Sequence, residues 1–521
     1  MKSHLLISLA GAGLFAALYP NSIWADGPFV TPASPAIPGI LEIAGKKQAF
    51  LDDLIIFEAS HLYKFVARPE KYAGNPILVA DKPWEMGKRG GDAASPVEES
   101  GIEIQGDCAI YDQEEKIFKL WYFCPHGEHA FWCYATSKDG YHWEKPNLGI
   151  YNYHGSTANN ILADWDDPIY TNVIKDSHEK DPARRYKAMG EMENGGANTK
   201  GGLAYAYSPD GLHWTQYPGN PVIHHGRNMA DSPIGFFWDP KRNKYVHYPR
   251  PGHPLGPEFY GNGDHRHIRA IGYAESDDCI HWTPTVCMLT PDKDDRGDYQ
   301  YMEFTSVMDG EFYVGLNSVY EPFEQTWDAV LMSSRDGFHW NWIDRKVPFI
   351  GRGEIGTYDA GFQTPSAPIL HDGKIWIYYG TFSGAHSYNQ TKLGVGKMAI
   401  GLCTLPENRW MGLMAGPHHG TLVTRPFIFT GSKLVIDLDA GVPMELPRIP
   451  RRYDECELRI AIEDQSGGRI EGYTIDQSPV ITHGGPQEIT WNGADVAKLA
   501  GKPIRLRFEM RNACLYSFQF M

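Results

Sequence analysis

The chain has 521 residues, long enough for about two to four domains, and its 42% apolar and 13% aromatic content can fill large cores. A formal charge of −16 at pH 7 argues against nucleic acid and against an anionic membrane surface as partners. It also disfavours a polyanionic substrate unless a local basic pocket overrides the mean.

Residues 1–25 read as a secretory signal: Lys2 gives a positive start, residues 5–18 are apolar and rich in small side chains, and Ala25 is a cleavage point before Asp26. The apolar run is shorter than the ~20 residues of a membrane-spanning helix. The expected location is therefore periplasmic or extracellular. In an exported chain the eight Cys permit disulfides without demanding them. Cys124 with Cys133 and Cys279 with Cys287 are spaced to bridge hairpins, although sparse Cys also serve as buried thiols. No Cys-x-x-Cys pair supports a zinc ribbon.

Residues 26–47 are an extended lead-in, Pro-rich between Pro32 and Pro38. Residues 48–56 follow as a strand outside the repeated region, expected to close a ring by pairing with the last unit. Five units come next, most of them a strand, a polar turn and an aromatic strand. Their first strands begin near Asp107, Tyr170, Asp231, Glu303 and Asp359. Their second strands lie near Phe118–Tyr122, Tyr186–Met189, Tyr245–Tyr248, Phe312–Gly315 and Ile375–Tyr379.

Four units then write Ser-x-Asp, two more residues, and His-Trp: Ser137 to Trp143, Ser208 to Trp214, Ser276 to Trp282 and Ser334 to Trp340. A repeated segment with fixed internal spacing signals a repeat architecture. The Asp can accept backbone N–H groups in a turn, and the Gly that follows it in three copies tolerates positive φ, whereas the third copy has Cys279 there. These residues are expected to build scaffold rather than chemistry. Unit five has only a degenerate equivalent near Leu405–Trp410. From about Gly420 the pattern changes: Leu458–Glu463 and Ile504–Glu509 alternate with period two, as half-buried antiparallel strands do. The predicted architecture is all-β: a five-bladed β-propeller over residues 48–418, followed by a C-terminal β-sandwich over 419–521.

In a propeller the first strands ring a central channel, so residues at one end of them converge despite their separation in sequence. Asp107, Asp231, Glu303 and Asp359 stand at four of the five openings and Asn172 at the fifth. Glycosidic hydrolysis needs two carboxyls, one protonated and one ionised, and crowded acids push one pKa up. Asp231 is assigned as base or nucleophile, Glu303 as acid, and Asp107 and Asp359 as orienting or tuning groups. Arg250, His265, His267, His386 and Asn172 are candidates for binding sugar hydroxyls. No cofactor is required; the carboxylate excess admits a structural Ca²⁺ in the channel.

The five units, acidic openings and trailing strands resemble the secreted five-bladed glycoside hydrolases of families 32, 43, 68 and 117. The chain more closely resembles exported proteins of environmental bacteria described as "glycosyl hydrolase family 32 N-terminal-like". The residues carrying this likeness are Phe50–Ile55, Asn75–Leu78 with Lys82–Glu85, Phe237–Lys241, Gly501–Phe508 and Leu515–Phe518. The invertase motif Trp-Met-Asn-Asp-Pro-Asn-Gly is absent. Ala230-Asp231-Ser232 stands loosely for Arg-Asp-Pro, and Met302-Glu303-Phe304 shares only the Glu of the Glu-Cys acid motif. The resemblance implies an exported hydrolase of plant or algal poly- or oligosaccharide. Its rivals are a non-catalytic carbohydrate-binding propeller and a sialidase-like exo-glycosidase; clustering of Arg250, Arg266 and Arg269 would favour the latter.

Overall fold

The computed structural model describes residues 39–86, 101–126, 129–165, 169–194, 200–224, 234–250, 252–254, 267–297, 299–386, 393, 396–440 and 456–521. The signal segment, Asp231 and His265 lie outside them. Among the described residues the architecture is all-β, and the only helical pieces are four short 3-10 turns.

Antiparallel strands follow one another in groups, numbered as units one to five, of which the last two share one nine-stranded sheet through a parallel pairing of Trp327 with Phe362. Unit one runs Ala109–Asp112, Ile117–His126, His129–Ser137 and Ile161–Trp165; unit two is built on Ile169–Lys175, Tyr186–Asn194 and Lys200–Ser208. Unit three runs Ile234–Asp239, Lys244–Tyr248, Ile271–Ser276 and Val286–Leu289. Unit four is Gln300–Asp309, Phe312–Glu321 and Thr326–Ser334, edged by Asn341–Trp342. Unit five is Phe362–Pro365, Lys374–Phe382 and Met398–Pro406. Apolar cores lie between neighbours: Met189, Tyr205 and Phe236 join units two and three, and Tyr248, Phe304 and Met332 join three and four.

The repeated turn has the same geometry in all four copies. Ser Oγ accepts the N–H three residues on, at 2.9, 2.9, 3.0 and 2.9 Å. The Asp carboxylate sits 2.7 Å from the His Nδ1 every time. Gly140, Gly211, Cys279 and Gly337 have φ of 79°, 78°, 63° and 73°, so the third copy holds the left-handed turn without glycine. The turns also receive the units before them. Trp121 Nε1 donates to the Gly211 carbonyl (2.8 Å) and the Tyr248 hydroxyl to that of Gly337 (3.0 Å). The Tyr378 hydroxyl donates to that of Gly140 (3.0 Å), a link that returns from unit five to unit one.

The strand at 48–56 does not close the units as expected. Gln48–Ala49 pairs with Ser517–Phe518, Ile56–Ser60 with Thr421–Thr424, and Leu62–Val66 with Met411–Ala415. Glu70–Lys71 instead edges unit five, against Cys403–Thr404. The boundaries at 47/48 and 418/419 move accordingly: residues 41–66 and 411–415 belong with the C-terminal strands, and Leu41–Ala44 of the expected lead-in is itself a strand on Phe427–Phe429. The cause is apolar burial. Phe50, Leu51 and Ile55 are closed into a core that two six-stranded sheets share with units four and five, where Phe50 lies 6.2 Å from Phe518. The two-residue strand that does edge unit five carries no hydrophobic pattern to read. Ile504–Arg511 alternates buried and half-buried residues throughout, as its sequence period requires.

Cys108, Cys124, Cys133, Cys279, Cys287, Cys403 and Cys514 are free thiols. Cys124 and Cys133 approach to 3.6 Å between sulfurs. They sit diagonally across the strand pair, since Cys133 faces Tyr122 and Cys124 faces Phe131.

Candidate functional site

Asp107 lies at the centre of the units. Gly106 delivers it through a turn with φ 67°, where a Cβ would fall 2.5 Å from Asn172 Oδ1. The Asp107 N–H donates to that Oδ1 (2.9 Å) in unit two. Its carboxylate accepts the Phe236 N–H (2.9 Å) of unit three, the Thr305 hydroxyl of unit four and the Ala367 N–H (2.9 Å) of unit five. One residue of unit one thus touches all four others. Burial pushes its carboxyl up to about 6, against the pull of those donors.

Glu303 sits on Gln300–Asp309, where a register shift between Tyr301 and Glu303 sets it opposite Ser318. Residues two apart on a strand share a face. Glu303 therefore lies one step along the strand from Thr305, the residue bound to Asp107, and it is 5% exposed. The Cys108 thiol is pushed well up by burial, and then by the carboxylates of Asp107 and Glu303 together. The fold thus brings two of the four predicted acids around one point. Arg250, buried, donates to the carbonyl of Met302, beside Glu303.

Asp359 is placed differently. Its carboxylate is 2.5 Å from Lys71 Nζ, on the strand that edges unit five, and it accepts the Thr357 hydroxyl at 3.0 Å. Asp359 is held in an ion pair at the seam by Lys71, which reaches it from an edge strand that carries no sequence signal. Asn172 is fully closed to solvent and latches the Asp107 backbone. His267 opens a short strand, Cα-paired with Pro254. Among the described residues no group of three or more His, Cys, Asp or Glu is placed to hold a metal ion.

His386 stands with an aromatic cluster at the end of units four and five nearest Glu303. Its ring lies 5.6 Å from Tyr320 and 5.4 Å from Trp327, and Trp327 stacks on Phe362 at 3.7 Å. Arg269 donates to Gln300 Oε1 (2.9 Å), with its guanidinium 5.9 Å from the Tyr320 ring centre. Sequence pattern does not single out Thr305, Gln300, Tyr320, Trp327 or Phe362. Each is an ordinary strand residue, and only its place at a strand opening distinguishes it.

No protein-family model matches the chain, and no curated protein matches it. It is similar to solved structures at low identity. One is a glycosyl hydrolase from Bacteroides ovatus: 15% identity, 70% of this protein and 97% of that one covered, TM-score 0.41. Another is an N-acetylgalactosamine deacetylase from F. plautii bound to blood group B trisaccharide: 14% identity, 67% and 96% covered, TM-score 0.40. A third is a GH32 beta-fructofuranosidase from Bombyx mori: 11% identity, 81% and 92% covered, TM-score 0.38.

Proposed function

We propose that the protein is an exported glycoside hydrolase of plant or algal poly- or oligosaccharides, built as a five-bladed β-propeller with an adjoining β-sandwich. The observation that carries this reading is the meeting of Asp107 and Glu303, from units one and four, around Cys108. The link from Tyr378 to Gly140 supports the closed ring of five. The signal-like first 25 residues support export.

In this reading Glu303 is the acid. Its carboxyl is buried on the strand that also holds Asp107 through Thr305, a closed setting suited to a group that gives up a proton. Asp107 tunes that proton rather than attacking, because both its oxygens are already engaged. Asp231 remains the proposed base or nucleophile on sequence grounds. Arg250 holds the backbone beside the acid, and His386, packed on the buried Tyr320 and Trp327, meets the sugar.

The test is release of reducing sugar from a broad glycan panel by the purified mature protein and by Glu303→Gln. Release by the wild type alone, with the variant slowed by about 10²–10⁴-fold, supports the assignment. Equal release by both removes Glu303 as the acid. The commitment of Asp107 and Asp359 to protein contacts favours one second reading, a non-catalytic carbohydrate-binding propeller. Glycan retention without release by either protein would select it.

A further inference from the structure

Among the described residues, two buried serines of unit four make no side-chain hydrogen bond, Ser306 and Ser318. Other buried serines are bonded: Ser333 donates to the Leu51 carbonyl (2.7 Å), and Ser366 accepts the Cys108 N–H (3.1 Å). A hydroxyl taken out of water without a partner costs stability, so such a group calls for an explanation.

The two serines are placed differently. Ser306 is three residues from Glu303 on one strand, so it projects to the other face, and it stands opposite Gly315. Ser318 stands directly opposite Glu303, on Phe312–Glu321, and is fully closed to solvent. Side chains directly opposite across an antiparallel pair share a face, with Cβ atoms about 4.5–5.5 Å apart. On its other side Ser318 faces Ala329, and two residues along its own strand lie Leu316 and Tyr320. Among these neighbours Glu303 carries the only carboxyl.

We infer that Ser318 is a positioning residue for the acid, and that its hydroxyl binds the Glu303 carboxylate as that carboxylate forms. In the reaction the Glu303 proton passes to the glycosidic oxygen. The anomeric C–O bond breaks with its electron pair going to that oxygen, the incoming nucleophile bonds to the anomeric carbon, and Glu303 is left ionised. Ser318 keeps its own proton and, by a change of χ1 rotamer, points it at the new carboxylate as a charge-assisted hydrogen bond. Catalytic hydrogen bonds are often unformed before substrate is bound. An interaction made in the transition state and absent from the resting protein lowers the barrier without tightening substrate binding. The unsatisfied hydroxyl of the resting protein is the stability cost of that arrangement. The inference rests on the glycosidase reading and adds to it a residue that assists proton delivery from the neighbouring strand.

The experiment compares wild type with Ser318→Ala on a cleaved glycan. The variant should lower kcat about 10–100-fold, the worth of a hydrogen bond to a charged group, with KM little changed. Its melting temperature should hold or rise, because an unsatisfied buried hydroxyl has been removed. An unchanged kcat, or a loss of kcat that tracks a fall in melting temperature, overturns the role. Infrared difference spectra, recorded as the pH is raised, test the contact without substrate. The band of the ionised Glu303 carboxylate, identified by its loss in Glu303→Gln, should move in Ser318→Ala, and a band at the same frequency overturns the inference. If no glycan is cleaved the hydrolase reading fails, and this band still decides whether Ser318 binds the carboxylate.

Discussion

The two ends of the units' first strands use carboxylates in opposite ways. At the far end, Asp112, Asp176 and Asp239 repeat one solution: each accepts the hydroxyl of a Tyr from the next unit. The partners are Tyr186 (2.8 Å), Tyr245 and Tyr313 (2.8 Å). Asp309 accepts Trp410 Nε1 (2.7 Å) in the same manner. At the near end no two positions are alike: Asp107 ties all the units, Asn172 latches it, Glu303 is buried beside it, and Asp359 pairs with Lys71. A position filled identically in successive units answers a need that every unit has, namely attachment to the next. A position that differs from unit to unit is free of that need and is where specific chemistry can be built.

The sharpest way to break this comparison is to remove one carboxylate from each end. Asp112 is fully buried with Lys119 (2.8 Å), and it also holds Lys175 and Tyr186. Those donors hold its carboxyl well below the usual range. Asp112→Ala removes the buried partner of Lys119, leaving it only the half-exposed Glu115 (2.6 Å), and should cost about 3 kcal/mol in denaturant unfolding. Glu303→Gln should change stability by less than about 1 kcal/mol, or raise it, as residues kept for function do. Similar losses in both variants would erase the distinction.

Asp107 gives a second handle, through pH. Its carboxyl is raised from 3.8 to about 6 in the folded state, so the fold binds its proton more tightly than the unfolded chain does. The associated stability, roughly 3 kcal/mol, is fully present below about pH 4 and is lost as pH rises through about 6. Unfolding curves across that window should show the loss, and Asp107→Asn should flatten it. The repeated turns have the opposite sign. Asp210 and Asp278 are held down at about 2 by backbone N–H groups and their His partners. Their contribution is present above about pH 4 and fades as pH falls towards about 2.

The smallest expected effect sharpens the scaffold side. Asp278→Ala removes the acceptor for the Ile280 and His281 N–H groups in an exposed turn, and should cost about 1 kcal/mol with no change in any glycan activity. A loss of activity without loss of stability there would move chemistry to the repeated turns.

What the sequence determined by itself is everything that repeats or alternates. The four Ser-x-Asp turns, the order of five units and the period-two strands near the C-terminus could be read because each is a local pattern set by turn hydrogen bonding or strand pleat. Cys279 in place of Gly was legible as a departure, and it takes the same positive φ as its glycine counterparts. Tertiary structure decided the rest. Residues 41–66 pair with the two C-terminal sheets, and Phe50, Leu51 and Ile55 close into a core that those sheets share with units four and five; no local pattern says which strands a segment will pair with. The candidate acids could be named from their positions at strand openings, but not told apart. Asp107 became a tie and Asp359 an ion pair through donors more than one hundred residues away in sequence. A carboxylate's role is set by the donors and charges the fold brings to it, and chain neighbours do not record them.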